Sequence, residues 1–303
     1  MRRAVLIAAA LLSFAMPAQA ADPYDAVVQS YATHGAFSGA ILIVKDGSVV
    51  FDRAYGSANT EHSLANQTTT RFHIGTLSMI YTAAVVLRLI ERHRINLDNT
   101  AGQFVPGLDA GQGAASIQSL LAVSPDAPDA GADYVLLARI AAAASGKSFP
   151  DIADDTVFAS LLLTGTGIDD GTLGPDRLMA KGYLADGTPA PPADWAALVG
   201  AASAFTTTRG AYHWLDMLFD GGLLTSTSRD LLFAGPLRMT TLSGPQGIVP
   251  GYSAEGRGQG FSSRIMRFPK VTVIVLANSE SADTSQIAAV LAGTALDLLT
   301  KAP

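Results

Sequence analysis

The sequence predicts an α/β protein: an antiparallel sheet flanked by terminal helices, with an all-helical subdomain inserted between the two halves of the sheet. Three observations carry that prediction. β-rich runs occur near both ends, as "FSGAILIVKDGSVVFDRAYG" and as "GQGFSSRIMRFP" followed by "KVTVIVLANSE". The chain between them reads as helices and Gly/Pro-rich loops. No internal repeat, and no linker that would separate independent domains, breaks the 303 residues, so one sheet assembled from both ends is the economical arrangement.

The elements follow in chain order. Arg2 and Arg3 precede the apolar run from Ala4 to Met16, and Ala18-Gln19-Ala20 supplies a small-x-small cleavage site, the pattern of a secretory signal peptide cut after Ala20. The expected location is the periplasm or the medium. The remainder, 21–303, reads as one domain with its sheet part at about 21–75 and 245–303 and its helical part at about 76–244. "DPYDAVVQSYATHG" suits a short amphipathic helix, and Asp46-Gly47 between β-rich runs is a strong hairpin signal. From Leu77 onward Ile80, Ala83, Ala84, Leu87 and Ile90 line one helical face while Val85, Val86 and Leu89 make the other apolar, which marks a buried helix. Pro269-Lys270 turns one late strand into the next, and "TSQIAAVLAGTALDLLTK" closes the chain as a helix.

Composition narrows the function. The net charge is -6, and signal cleavage would remove two arginines and no acid, so a polyanionic partner such as nucleic acid is not expected. The chain has no cysteine, which excludes disulfides, thiolate metal sites and a cysteine nucleophile. Charges interrupt every later apolar run before the roughly 18 residues a membrane span needs. His34, His62, His93 and His213 show no metal spacing and read as surface residues, and no cofactor or metal is implied. "GTGIDDG" and "GRGQG" lack the strand–G-x-G-x-x-G–helix context of a nucleotide loop, and no G-x-S-x-G elbow occurs. Asp169 and Asp170 read as solvated loop acids, and His73 as a solvated or stacked loop residue.

Four stretches, "FSGAILIVKDGSVVFDRAYGSAN", "TRFHIGTLSMIYTAAVVLRLIERHRINLD", "GAASAFTTTRG" and "GFSSRIMRFPKVTVIVLAN", resemble in the same order the serine β-lactamase and penicillin-binding-protein superfamily, in its class C β-lactamase and D-alanyl-D-alanine carboxypeptidase/esterase branch. The resemblance covers nearly the whole chain after the signal. It implies a sheet domain plus a helical domain with a serine acyl-transfer site in the cleft between them. In that site a serine at a helix N-terminus has a lysine three residues on as its base, and helix N–H groups help the oxyanion.

The motif residues themselves diverge. Gly75, Ser78, Tyr81, Thr82 and Ala83 fix the register of the first motif, so Thr76 falls on the nucleophile and Met79 on the lysine. Threonine keeps a hydroxyl but crowds it with a methyl, and methionine cannot accept a proton. Ser78 would point about 200° around the helix from Thr76. The second motif, Tyr-x-Asn or Ser-x-Asn, falls on Asp129-Ala130-Gly131, in a segment that is also shortened. The third, Lys-Thr-Gly or His-x-Gly, falls on Ala254-Glu255-Gly256, where Glu255 would repel an anionic substrate and Arg257 is the nearby cation. Without a catalytic side chain, Thr76 reads as a residue capping helix N–H groups and Met79 as core filler.

The expectation is therefore a catalytically degenerate homologue, a pseudoenzyme whose cleft binds a small peptide, a peptidoglycan fragment or an envelope protein. The alternative is a divergent esterase, amidase or carboxypeptidase acting by acyl transfer from Thr76 or Ser78 with Tyr134 or Tyr252 as base.

Overall fold

The computed structural model describes residues 22–33, 35–244 and 247–300. The expected signal peptide, 1–20, and His34 lie outside the described residues.

Helix α1 (Pro23–Ala32) leads into β1 (Gly39–Lys45) and β2 (Ser48–Tyr55). Asp46 and Gly47 both have positive φ, the conformation that lets a two-residue turn follow the right-handed twist of its strands. Three short strands follow: β3 (Ser57–Asn59), β4 (Leu64–Ala65) and β5 (Phe72–His73). The helical part contains α2 (Ser78–Glu91), α3 (Ala110–Ala114), α4 (Ile117–Leu121), α5 (Ala130–Ser145) and α6 (Phe149–Ala153). Two small strands, β6 (Gly167–Ile168) and β7 (Ala204–Thr206), then precede α7 (Thr208–Phe219) and α8 (Ser226–Ala234). The chain returns to the sheet through β8 (Arg238–Gly244), β9 (Gly247–Gly258), β10 (Phe261–Phe268) and β11 (Val271–Ala277), and ends in α9 (Thr284–Thr300).

The main sheet is antiparallel with order β2-β1-β11-β10-β9-β8, so the two ends of the chain meet at β1 and β11. Those two strands read "GAILIVK" and "VTVIVLA" and are buried on both faces, which their continuous apolar runs require. Alternation divides the core in two. Ile41, Ile43, Val273 and Val275 pack with Ile287 and Leu291 of α9. Leu42, Val44, Ile274 and Leu276 face the helical part, where Ile80, Val86, Leu137 and Trp214 continue the same cluster. Asp283 caps α9, its carboxylate accepting from the Gln286 N–H over 2.9 Å.

Two features differ from the sequence expectation. Strand β8 precedes the boundary read at residue 245 because Arg238–Gly244 is an exposed edge with no full apolar face to signal it. The helical part also carries a small sheet of its own, β5-β7-β6, and this sheet sits beside the candidate site.

Candidate active site

The site is built on the turn Gly75–Leu77, a single 3-10 turn that feeds α2. Strand β9 crosses this turn so closely that backbone lies on backbone. A Cβ on Gly75, which has φ +55, would sit 2.5 Å from the Arg257 carbonyl oxygen, and one on Gly256 would sit 2.1 Å from that of Ile74. Neither contact leaves room for a side chain. The Ser263 hydroxyl on β10 fixes the approach by donating to the Ile74 carbonyl over 2.9 Å.

Thr76 is half-buried at this crossing. Its Oγ1 accepts the backbone N–H of Arg257 over 3.4 Å. It caps nothing, which corrects the capping expectation: α2 proper begins at Ser78, and no side chain bonds the N–H groups of the preceding turn. Ser78 is 1% exposed. It donates to the Gly75 carbonyl over 2.7 Å and accepts the Ala204 N–H over 3.0 Å, so its hydroxyl has a structural task joining α2 to β7. Met79 is equally buried and belongs to the core. Further along, the Thr82 hydroxyl donates to the Gly200 carbonyl over 2.7 Å, and Tyr81 packs edge-on against Trp214 and Phe158.

The other motif positions bring no polar group to Thr76. Gly131 lies in the first turn of α5, where an added Cβ would touch only the Ala201 methyl, 4.0 Å away. Ala254 is buried in the core between sheet and helices. Glu255 points to the opposite face of the sheet, where it pairs with Arg264 over 2.8 Å and accepts the Ser285 hydroxyl of α9 over 2.7 Å. Its charge is thus matched away from the cleft, and the expected repulsion of an anionic ligand does not follow. Arg257, whose backbone N–H bonds Thr76, has an exposed side chain; among the described residues its guanidinium donates to the Glu280 carbonyl over 3.3 Å.

Two acid–base expectations are corrected. Asp169 is not a solvated loop acid, and of the two environments expected for His73, solvated or stacked, the structure shows the stacked one: the two residues form a buried pair, Nε2 to Oδ2 at 3.1 Å, with His73 6% exposed. The small sheet explains this, since β5 carries His73 and Asp169 follows β6. Trp195 stacks on the imidazole at 3.7 Å and 6°, and Phe261 meets it edge-on. His73 Nδ1 is buried without a hydrogen-bond partner, so the ring does not relay a proton to Thr76, although it lies only three residues away. Tyr134 is fully buried and its hydroxyl has no partner; burial raises its pKa well above the ordinary phenol value, the wrong direction for a base. Tyr252 packs at a tilt against Phe233 and Phe219. It stands five residues, roughly 16 Å, along β9 from Arg257. Among the described residues no lysine, histidine or tyrosine side chain hydrogen-bonds Thr76 Oγ1, and no group of three or more metal-ligating side chains occurs.

The β-lactamase family model matches residues 24–292 of this chain. The chain belongs to the β-lactamase family. Among its relatives, a Bacillus subtilis (strain 168) protein described as a penicillin-binding protein, PbpX, is 24% identical over 271 residues, covering 78% of this chain and 68% of the relative. The teichoic acid D-alanine hydrolase of Staphylococcus aureus (strain MRSA252) is 25% identical over 85 residues, which spans 28% of this chain but only 21% of that enzyme. The D-alanine carboxypeptidase AmpC of Burkholderia cenocepacia superposes with a TM-score of 0.72 at 17% identity, covering 92% of this chain and 98% of that one, a likeness of fold. The family's mixed helix and sheet architecture is thus present among the described residues.

Proposed function

We propose that this chain is an exported, catalytically degenerate member of the β-lactamase family whose cleft binds a peptide or peptidoglycan fragment without turning it over. One observation carries this reading. The hydroxyl at the family's nucleophile position is engaged by a backbone N–H, and the neighbour that would take its proton is Met79, a side chain with no basic atom. A threonine alcohol at its own pKa is a weak nucleophile, and without a base within about 3 Å it is not activated. Arg257, exposed and adjoining Thr76 through its backbone N–H, is the cation that suits a ligand carboxylate. Export is supported by the amino-terminal pattern of Arg2, Arg3, an apolar run and Ala18-Gln19-Ala20. Among the described residues no helix is long and apolar enough to cross a membrane.

The test uses a muropeptide ending in D-alanyl-D-alanine. Calorimetry should show saturable binding that Arg257→Ala weakens about tenfold, a loss of about 1.4 kcal/mol, and mass spectrometry should recover the ligand intact. Release of D-alanine would refute the reading.

The second reading, a divergent acyl-transfer hydrolase acting from Thr76, is favoured by the names of two similar proteins, a D-alanine hydrolase and a D-alanine carboxypeptidase. It requires ester hydrolysis by the wild-type protein that Thr76→Ala abolishes.

A further inference from the structure

The two edges of the main sheet are built differently. β2, at one edge, carries Asp52 and Arg53 at mid-strand. Asp52 pairs with Arg209 of α7 over 2.5 Å and Arg53 with Asp25 of α1 over 3.5 Å. The β1–β2 register also shifts between Ile43 and Val44. Charges and irregular pairing both blunt an edge against association.

β8, at the other edge, has neither device. Its seven residues pair with β9 without interruption, from Arg238↔Ser253 to Gly244↔Gly247. Met239 to Gly244 carry no charge, and Arg238 at the start is held by Asp126 over 2.8 Å. The facing stretch of β9, from Gly247 to Ala254, is uncharged as well. Met239 is 72% exposed and Ile248 74%. Thr241 stands opposite Pro250, which has no N–H to give. The ladder loses nothing only if Thr241 and Pro250 form a non-hydrogen-bonded pair. That alternation turns the N–H and C=O groups of Met239, Thr241 and Ser243 outward, away from β9.

We propose that β8 is the interface for a second copy of this chain, two β8 strands pairing antiparallel about a two-fold axis through Thr241. In this register Thr241 meets the partner's Thr241, and Met239 meets the partner's Ser243. The outward groups of all three residues are satisfied reciprocally, as an isologous contact requires. The charge pattern favours a copy of the same strand. Arg238 falls opposite the partner's Gly244 at the two far ends, so no like charges face one another, whereas the rest of an acidic surface repels itself. Leu242, which packs on the α9 side of the sheet, meets the partner's Thr240 and extends the apolar layer across the axis.

The natural chain has no cysteine, which makes crosslinking decisive. Thr241→Cys places a single thiol at the axis, and Val50→Cys places one on the guarded β2 edge, where Val50 is 37% exposed. The inference expects a concentration-dependent monomer–dimer equilibrium by sedimentation, and a disulfide-linked dimer of Thr241→Cys that forms about tenfold or more faster than that of Val50→Cys. Thr241→Lys, which would set two ammonium groups face to face, should weaken the dimer about tenfold while leaving unchanged the denaturation midpoint measured at dilutions where the chain is monomeric. A chain that stays monomeric across the concentration series, equal crosslinking rates for the two thiols, or a dimer indifferent to Thr241→Lys overturns it.

Discussion

On the sheet side of Thr76, β9 passes within backbone contact of the turn, and both Gly75 and Gly256 stand where no other residue fits. On the helical side, the positions that align with the family's acid–base groups hold Met79, buried in the core, and Gly131, in the first turn of α5 with only the Ala201 methyl near it. The first wall is geometry that the whole fold depends on, because the crossing joins the sheet to its most buried helix. The second wall is side-chain chemistry that packing does not require, and there the acid–base groups of the family are missing. The comparison teaches that the backbone of such a cradle can be kept while the side chains beside its hydroxyl change, which is what the proposed loss of turnover rests on.

Substitutions on the two walls should therefore separate sharply. Gly256→Ala drives a methyl into the Ile74 carbonyl and should destabilise by about 3–5 kcal/mol or prevent folding. Gly131→Ala, on the other wall, should be neutral or stabilise by up to about 1 kcal/mol, both read by chemical denaturation. Equal effects would erase the distinction between the walls. Next in size, Ser78→Ala leaves the buried Ala204 N–H without its acceptor and should cost about 1–3 kcal/mol. Thr76→Ala, whose hydroxyl is held by one long bond, should cost less than about 1 kcal/mol. A larger loss at Thr76 than at Ser78 would mean that Thr76 is a structural residue after all.

Tyr134 sharpens the same contrast by pH. Its folded pKa is raised by burial, while the unfolded phenol ionises near about 10. Stability from keeping the ring neutral is thus full below pH about 10 and is lost as pH rises beyond it, since only the unfolded chain releases the proton readily. Tyr134→Phe removes an unpartnered buried hydroxyl and should stabilise modestly, by about 1 kcal/mol, with a shallower alkaline decline. An unchanged alkaline limb would show that Tyr134 is not the group responsible.

Much of the architecture was legible because it rests on local patterns. Asp46-Gly47 declared the hairpin, the continuous apolar runs declared β1 and β11, and the all-round apolar face of α2 declared its burial. β8 was not legible, because an edge strand with three threonine or serine residues and one exposed methionine has no face to betray it. The pair of His73 with Asp169 and the stacking of Trp195 join residues about a hundred positions apart through a small sheet of two- and three-residue strands, too short for periodicity to register. A buried loop acid was the one available signal, and a single sequence does not display burial. The bond from Arg257 to Thr76 escaped for a related reason: it is made by a backbone N–H, which every sequence supplies and none advertises.

Intact-mass spectrometry after incubation with a fluorescent penicillin or a fluorophosphonate tests the proposed absence of proton transfer at Thr76 most directly. The geometry predicts a protein of unaltered mass at every incubation time. A stoichiometric adduct, abolished by Thr76→Ala and retained by Ser78→Ala, would contradict it and show that this hydroxyl finds a base.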